Sequence, residues 1–150
     1  MGIDLRGLTP LFEVFDMPTS IRFYRDILGF QVHQTSPVLG PDRFDWAWLR
    51  LGNADLMLNT AYESDSARPA APEKARVAAH WDMGLFFGCP DVDAAYAELR
   101  KKGVDVKEPR VLSYGMKQIN FRDPDGYGIC FQWPVKSPKS DPETEPAPKP

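Results

Sequence analysis

The sequence predicts an α+β protein built from two β-α-β-β-β modules whose curved, mixed sheets surround a cavity. Three observations predict it. A helix-starting aspartate recurs after 75 residues, at Asp16 and Asp91, half the chain length apart. A glycine stands at the far end of each helical stretch, Gly29 and Gly103. The strand-like runs alternate apolar side chains with small, polar or aromatic ones, so each has one face suited to a helix and one that is not.

The elements follow in order. Strand-like "LFEVF" leads to Asp16 and then to "PTSIRFYRDILG". Asp16 can cap the helix, Pro18 suits its first turn, and Gly29 can close it in a left-handed conformation. This predicts a helix over 17–28 with Ile21, Tyr24 and Leu28 on its buried face. The strands "FQVHQT", "DWAWLRLG" and "ADLMLNT" come next, with Gly52-Asn53 as a hairpin tip. In the second half "GLFFGC" runs into Asp91 and a helix over 92–102, with Val92, Ala95, Tyr96 and Leu99 inward. "VDVKEP", "KQINFR" and "GYGICFQW" supply the strands after it. Asp123-Pro124-Asp125-Gly126 has the residue order of a type I turn and joins the last two.

Between the halves, "AYESDSARPAAPEKARVAAHWDM" is too long for a simple connection. It reads either as a linker with a short helix after Pro72 or as a cover over a site. The domain is expected over 1–134, with modules at about 8–60 and 82–134. Residues 135–150 read as a Pro-rich flexible tail: the stretch from Pro134 has six prolines in seventeen residues and nothing apolar larger than Val135.

Composition narrows the function. Hydrophobic content of 43% and charged content of 26% are those of a globular protein that buries a core. The net charge of −3 argues against a nucleic-acid partner, which a basic patch would announce, and weakly favours a cationic small molecule. Two cysteines make no disulfide framework, and no signal peptide or membrane-spanning run is visible. The expectation is a cytoplasmic protein without membrane contact.

Parity sorts the strand residues. Phe12 and Val14, Leu56 and Leu58, Leu85 and Phe87, and Ile129 and Phe131 suit the helix side. The opposite faces carry Thr9, Leu11, Glu13 and Phe15; Asp55, Met57 and Asn59; Gly84, Phe86 and Gly88; and Gly128, Cys130 and Gln132. Such a mixture suits a ligand cavity better than a packed sandwich.

"VFDMPTSIRFYRDILGF" and "FRDPDGYGICFQW", with the paired modules between them, resemble the vicinal oxygen chelate superfamily of glyoxalases, extradiol dioxygenases and bleomycin-resistance proteins. The resemblance covers roughly residues 8–133. It implies the fold but says little of activity, since one fold hosts many. It also implies a divalent metal held by His, Glu or Gln on four strands. The matching positions here are Thr9, Met57, Gly84 and Cys130, of which only the Cys thiolate is a ligand for such an ion. No metal and no cofactor are therefore expected. A relocated site would need His80 beside Asp82, with Glu13; His33 and His80 are the only histidines and read more simply as surface or loop residues.

Glu13, amid Leu11, Phe15 and Phe86, is a candidate anchor for a cation or, less simply, a general base. Trp46 and Trp48 share a strand face and serve either as packing, in the core or at a dimer interface, or as a stacking wall for a planar ligand. Tyr114 belongs to a loop that can form a pocket rim with Met116 and Lys117. Cys130 reads as a small strand residue rather than a nucleophile, as no adjacent base is visible. The expected ligand-binding set is Glu13, Trp46, Trp48, Met57, Asn59, Phe86, Tyr114, Cys130 and Gln132. The function it suggests is binding or sequestering a small planar or cationic organic compound, as a homodimer. The alternative is a lyase, dioxygenase or isomerase with a relocated metal or metal-free acid–base catalysis.

Overall fold

The structure is a computed structural model and describes residues 2–135. The expected tail falls almost wholly outside them. Contacts divide the described residues into two units, residues 2–83 with 122–127, and residues 84–121 with 128–135. The turn at 123–126, which the sequence order assigns to the second half, is thus part of the first unit.

In the first unit β1 (Leu11–Val14), β2 (Gln31–Thr35), β3 (Trp46–Leu51) and β4 (Ala54–Thr60) form a sheet of order β1-β4-β3-β2. β1 runs parallel to β4, and the other pairs are antiparallel. Helix α1 (Met17–Ile21) is capped by Asp16, whose carboxylate accepts from Thr19 N. It continues as a π-helical stretch, Arg22–Ile27, and ends at Gly29 with φ 89°. Phe12, Val14, Leu56 and Leu58 are buried with Ile21 and Tyr24, as parity and the helical period require; Leu28 is only half-buried. Gly52 and Asn53 form the β3–β4 tip.

The connection between the halves carries helix α2 (Lys74–Ala79), the short helix expected after Pro72, and a turn of 3-10 helix at His80–Asp82. No residue of α2 is buried. Arg76 holds it by polar contacts to Asp125 and Glu13 O, and Val77 rests against Gly126.

The second unit repeats the plan with β5 (Gly84–Gly88), helix α3 (Val92–Lys101), β6 (Arg110–Val111), β7 (Met116–Arg122) and β8 (Gly128–Pro134), in sheet order β5-β8-β7-β6. Asp91 caps α3 through Ala94 N, and Gly103 closes it at φ 80°. Val92 and Leu99 are buried, Ala95 and Tyr96 half-buried. One strand differs from expectation. "VDVKEP" forms none; the backbone of Val104 closes onto the helix end at Leu99 O, and only Arg110–Val111 pairs with β7. Alternation alone does not make a strand when the chain is still leaving a helix.

Candidate ligand-binding site

The open face of the first sheet is built in ranks. Glu13 lies opposite Asn59, which lies opposite Trp46; the next rank is Leu11, Met57 and Trp48. Strand alternation turns all six away from the face that carries Phe12, Leu58 and Ala47. Leu11 and Glu13 are exposed, the other four half-buried. Trp48 is fixed by its neighbours: its Nε1 donates to Asp55 at 3.1 Å, Arg50 lies 4.7 Å over the ring, and Arg50 Nε pairs with Asp55 at 2.9 Å. His33 meets Trp48 edge-on. Thr9, at the first expected metal position, is half-buried just before β1.

Behind this face, still in the first unit, lies a buried polar network that sequence reasoning did not single out. Asp125, with a side chain 2% exposed, pairs with Arg76 Nη1 at 2.8 Å and accepts from Phe15 N at 2.8 Å and Ser20 Oγ at 3.4 Å. Arg76 Nη2 also donates to Glu13 O at 2.5 Å. Burial is the largest influence on the guanidinium and would lower its pKa, but the bond to Asp125, that carboxylate's charge and the nearby Tyr127 and Tyr62 together hold it above its ordinary value. The Tyr127 ring stacks between Phe12 at 4.0 Å and His80 at 3.9 Å, and its hydroxyl donates to Glu13 O. His80 Nδ1 sits 2.7 Å from Asp125 O. The imidazole considered for a relocated metal is thus engaged as a structural ring, while Asp82 is exposed.

The turn carries a second buried carboxylate. Asp123 accepts from Tyr24 Oη at 2.7 Å and from the amides of Asp125 and Tyr127. Burial still pushes its pKa up, to about 6, and these bonds only partly offset that.

In the second unit, Phe86 lies opposite Cys130 and Gly88 opposite Gln132. Phe86 is 64% exposed, whereas Cys130 is 2% exposed and burial pushes its thiol pKa up. A buried, protonated thiol is a packing group rather than a nucleophile or ligand. Gln132 Oε1 accepts from Gln118 Nε2 at 2.6 Å, and Gln118 also donates to the Tyr114 hydroxyl at 3.2 Å. Gln118 was not among the expected residues. Parity along β7, where buried Ile119 and Phe121 fix the opposite face, is the signal that would have found it. Lys117 is tied to Asp93, and Met116 is half-buried.

Cavities also lie away from these ranks. One of about 470 Å³ in the first unit has Phe15, Asp16, Arg68, Pro72 and Asp125 in its walls; Arg68 pairs with Asp16 at 2.7 Å and Asp125 with Arg76. Another, about 280 Å³ in the second unit, is lined by Arg110, Leu112, Gln118 and Asn120 among others.

The donors at the four matched positions do not fit a hard divalent ion: a hydroxyl, a thioether, a glycine and a protonated thiol. Among the described residues no group of three or more His, Cys, Asp or Glu side chains is placed to hold one. Nor is any helix there long and apolar enough to cross a membrane.

Fold and sequence together define the class. The model of the Glyoxalase/Bleomycin resistance protein/Dioxygenase superfamily matches residues 11–131. The chain belongs to that superfamily. Among solved structures it is similar to the protein SMU.1112c, at 29% identity and TM-score 0.68, over 87% of this chain and 100% of that one. It is also similar to TnmS3, an antibiotic-binding protein from Streptomyces sp. CB03234, at 24% identity and TM-score 0.63, over 89% and 100% of the two chains. A bleomycin resistance determinant encoded on the transposon Tn5 shares 18% identity, with TM-score 0.61 over 85% of this chain and 97% of that one. No curated protein sequence matches the chain.

Proposed function

We propose that this protein binds a small planar or cationic organic compound of antibiotic-like character, with the first sheet's open face as its main surface. The observation that carries the reading is the pair of ranks Glu13–Asn59–Trp46 and Leu11–Met57–Trp48. They combine large apolar side chains, an amide and a carboxylate on a surface that the unit's own helix does not cover. Apolar area with a few convergent polar groups is what small-molecule recognition needs. In the second unit Phe86, Tyr114 and Gln132 offer an aromatic and polar surface of the same kind, with Cys130 as a small residue opposite Phe86 on the neighbouring strand. The antibiotic-binding protein and the bleomycin determinant, alike in fold, make antibiotics a sensible first panel. A homodimer is part of the proposal, since it would cover exposed apolar groups such as Leu11 and Phe86.

Thermal unfolding in the presence of bleomycin and other planar cationic antibiotics tests this. A concentration-dependent rise in the midpoint is expected for at least one compound, and Trp46→Ala should reduce it. A flat response across the panel refutes the reading. Elemental analysis of the purified protein adjudicates the enzymatic alternative: stoichiometric zinc, iron, nickel or manganese would replace the binding reading with a metal-dependent one. Light scattering at micromolar concentration tests the dimer.

A further inference from the structure

Glu13 is treated by the fold in two opposite ways. Its carboxylate is exposed and, among the described residues, makes no hydrogen bond or ion pair. The charged groups nearest its backbone, Arg76 and Asp125, pair with each other. Its backbone, by contrast, is clamped. β1 is an edge strand, and its bonds to β4 leave from Pro10 O and Val14 O, so the groups of Glu13 and Phe15 point away from the sheet. An edge of this kind normally leaves its outward N–H and C=O groups unpaired. Here Glu13 O takes two donors, Arg76 Nη2 at 2.5 Å and Tyr127 Oη at 3.1 Å. Two residues on, Phe15 N donates to Asp125, which is itself paired with Arg76. A guanidinium, a phenol and a buried carboxylate stand where a neighbouring strand would be.

From this we infer that Glu13 is the counter-ion for a cationic group on the ligand, an ammonium or amidinium attached to a planar ring, and that Arg76, Asp125 and Tyr127 are its positioning residues. The inference rests on the ligand-binding reading of this face. Glu13 and Trp46 flank Asn59, and with strands about 4.8 Å apart they stand roughly 10 Å from one another. That is the span of a two- or three-ring amine. Charge selection follows from desolvation: a neutral or anionic molecule covering Glu13 would leave a carboxylate without water or partner, which a cation avoids. Clamping the backbone at residues 13 and 15 removes motion that the ligand would otherwise have to freeze.

Fluorescence titration of the full chain with proflavine, a planar cation, against anilinonaphthalene sulfonate, a planar anion, tests both halves. The wild type should bind proflavine in preference. Glu13→Gln should weaken proflavine about tenfold, the usual scale for losing a hydrogen-bonded charge pair, and leave the sulfonate unchanged. Tyr127→Phe keeps the ring stack but removes the hydroxyl, and Arg76→Lys cannot reach Asp125 and Glu13 O together. Both should lower the cation-to-anion preference severalfold, with circular dichroism unaltered. Equal proflavine affinity in Glu13→Gln, or a wild-type preference for the sulfonate, overturns the inference and leaves ligand binding standing. Wild-type preference in both Tyr127→Phe and Arg76→Lys overturns the positioning role. Failure of the wild type to bind either dye sinks the inference and the ligand-binding reading of this face together.

Discussion

The two halves of the chain each end in a hairpin, and the two hairpin turns have different fates. Gly52-Asn53 joins β3 to β4 on the surface; a Cβ placed on Gly52 would meet nothing within 4 Å. Asp123–Gly126 joins β7 to β8 and is mostly buried in the first unit, with Asp125 1% exposed. A Cβ on Gly126 would lie 2.6 Å from Val77 O, so α2 rests directly on the turn. The first turn only reverses the chain. The second reverses the chain and also serves as the anchor for the connecting segment and for the edge of β1. A repeat therefore tells where a turn occurs, while the partners that settle on it decide what it does.

The largest difference should appear when the anchor's charge is removed. Asp125→Ala leaves the Arg76 guanidinium, the Phe15 amide and the Ser20 hydroxyl without their acceptor. Breaking a buried pair on one side costs about 3–5 kcal/mol, so urea unfolding should register that loss or the variant should fail to accumulate. Asp55→Ala removes a pair whose arginine side chain is 45% exposed, and should cost about 1 kcal/mol or less. Equal losses would mean that the turn is no more committed than the surface. The glycines come next. Gly126→Ala combines a φ of 87° with the collision at Val77 and should cost about 3 kcal/mol. Gly52→Ala meets only its φ of 58° and should cost about 1 kcal/mol.

Asp123 gives the comparison a pH dependence. Its folded pKa of about 6 lies above the ordinary 3.8, so the folded state holds the proton more tightly. The stability this contributes is fully present below pH 3.8 and is lost as pH rises through about 6. The change is about 3 kcal/mol at most. Asp123→Asn cannot titrate. Its stability relative to wild type should therefore rise between pH 4 and 7 by up to that amount. Parallel stability curves for the two proteins would show that Asp123 ionises in the fold as it does in the unfolded chain.

Much of this was legible in the sequence. Caps at Asp16 and Asp91, closing glycines at Gly29 and Gly103, and strand alternation are local signals, and the elements they predict are present. Parity also placed Glu13, Met57, Asn59, Trp46 and Trp48 on one face, because pairing register converts alternation into neighbourhood. The network behind Glu13 was not legible. Arg76 reaches Asp125 across 49 residues of sequence and Glu13 across 63, and nothing in α2's own pattern indicates where the chain will lay it down. The "VDVKEP" segment failed for a related reason. Its alternation was real, but the helix end at Leu99 had first claim on its backbone.

The smallest contrast lies in the two helix caps, which the sequence presents as equivalents. Asp91 accepts from Ala94 N alone at 2.9 Å, and Asp91→Ala should cost about 1 kcal/mol. Asp16 accepts from Thr19 N at 3.2 Å and Thr19 Oγ1 at 2.5 Å, and also pairs with Arg68 at 2.7 Å. Arg68 comes from the same connecting segment that Asp125 anchors, so Asp16→Ala should cost more, about 2 kcal/mol. Burial pushes the Asp16 carboxyl up, but Thr19 and Arg68 outweigh it and hold its pKa below 3.8. Its stabilising contribution is therefore present above pH 3.8 and lost as pH falls through the lowered value, so the cost of Asp16→Ala should shrink in acid. Unfolding of both variants at pH 7 and pH 3 measures this, and equal costs at pH 7 would show that Arg68 adds nothing to the cap.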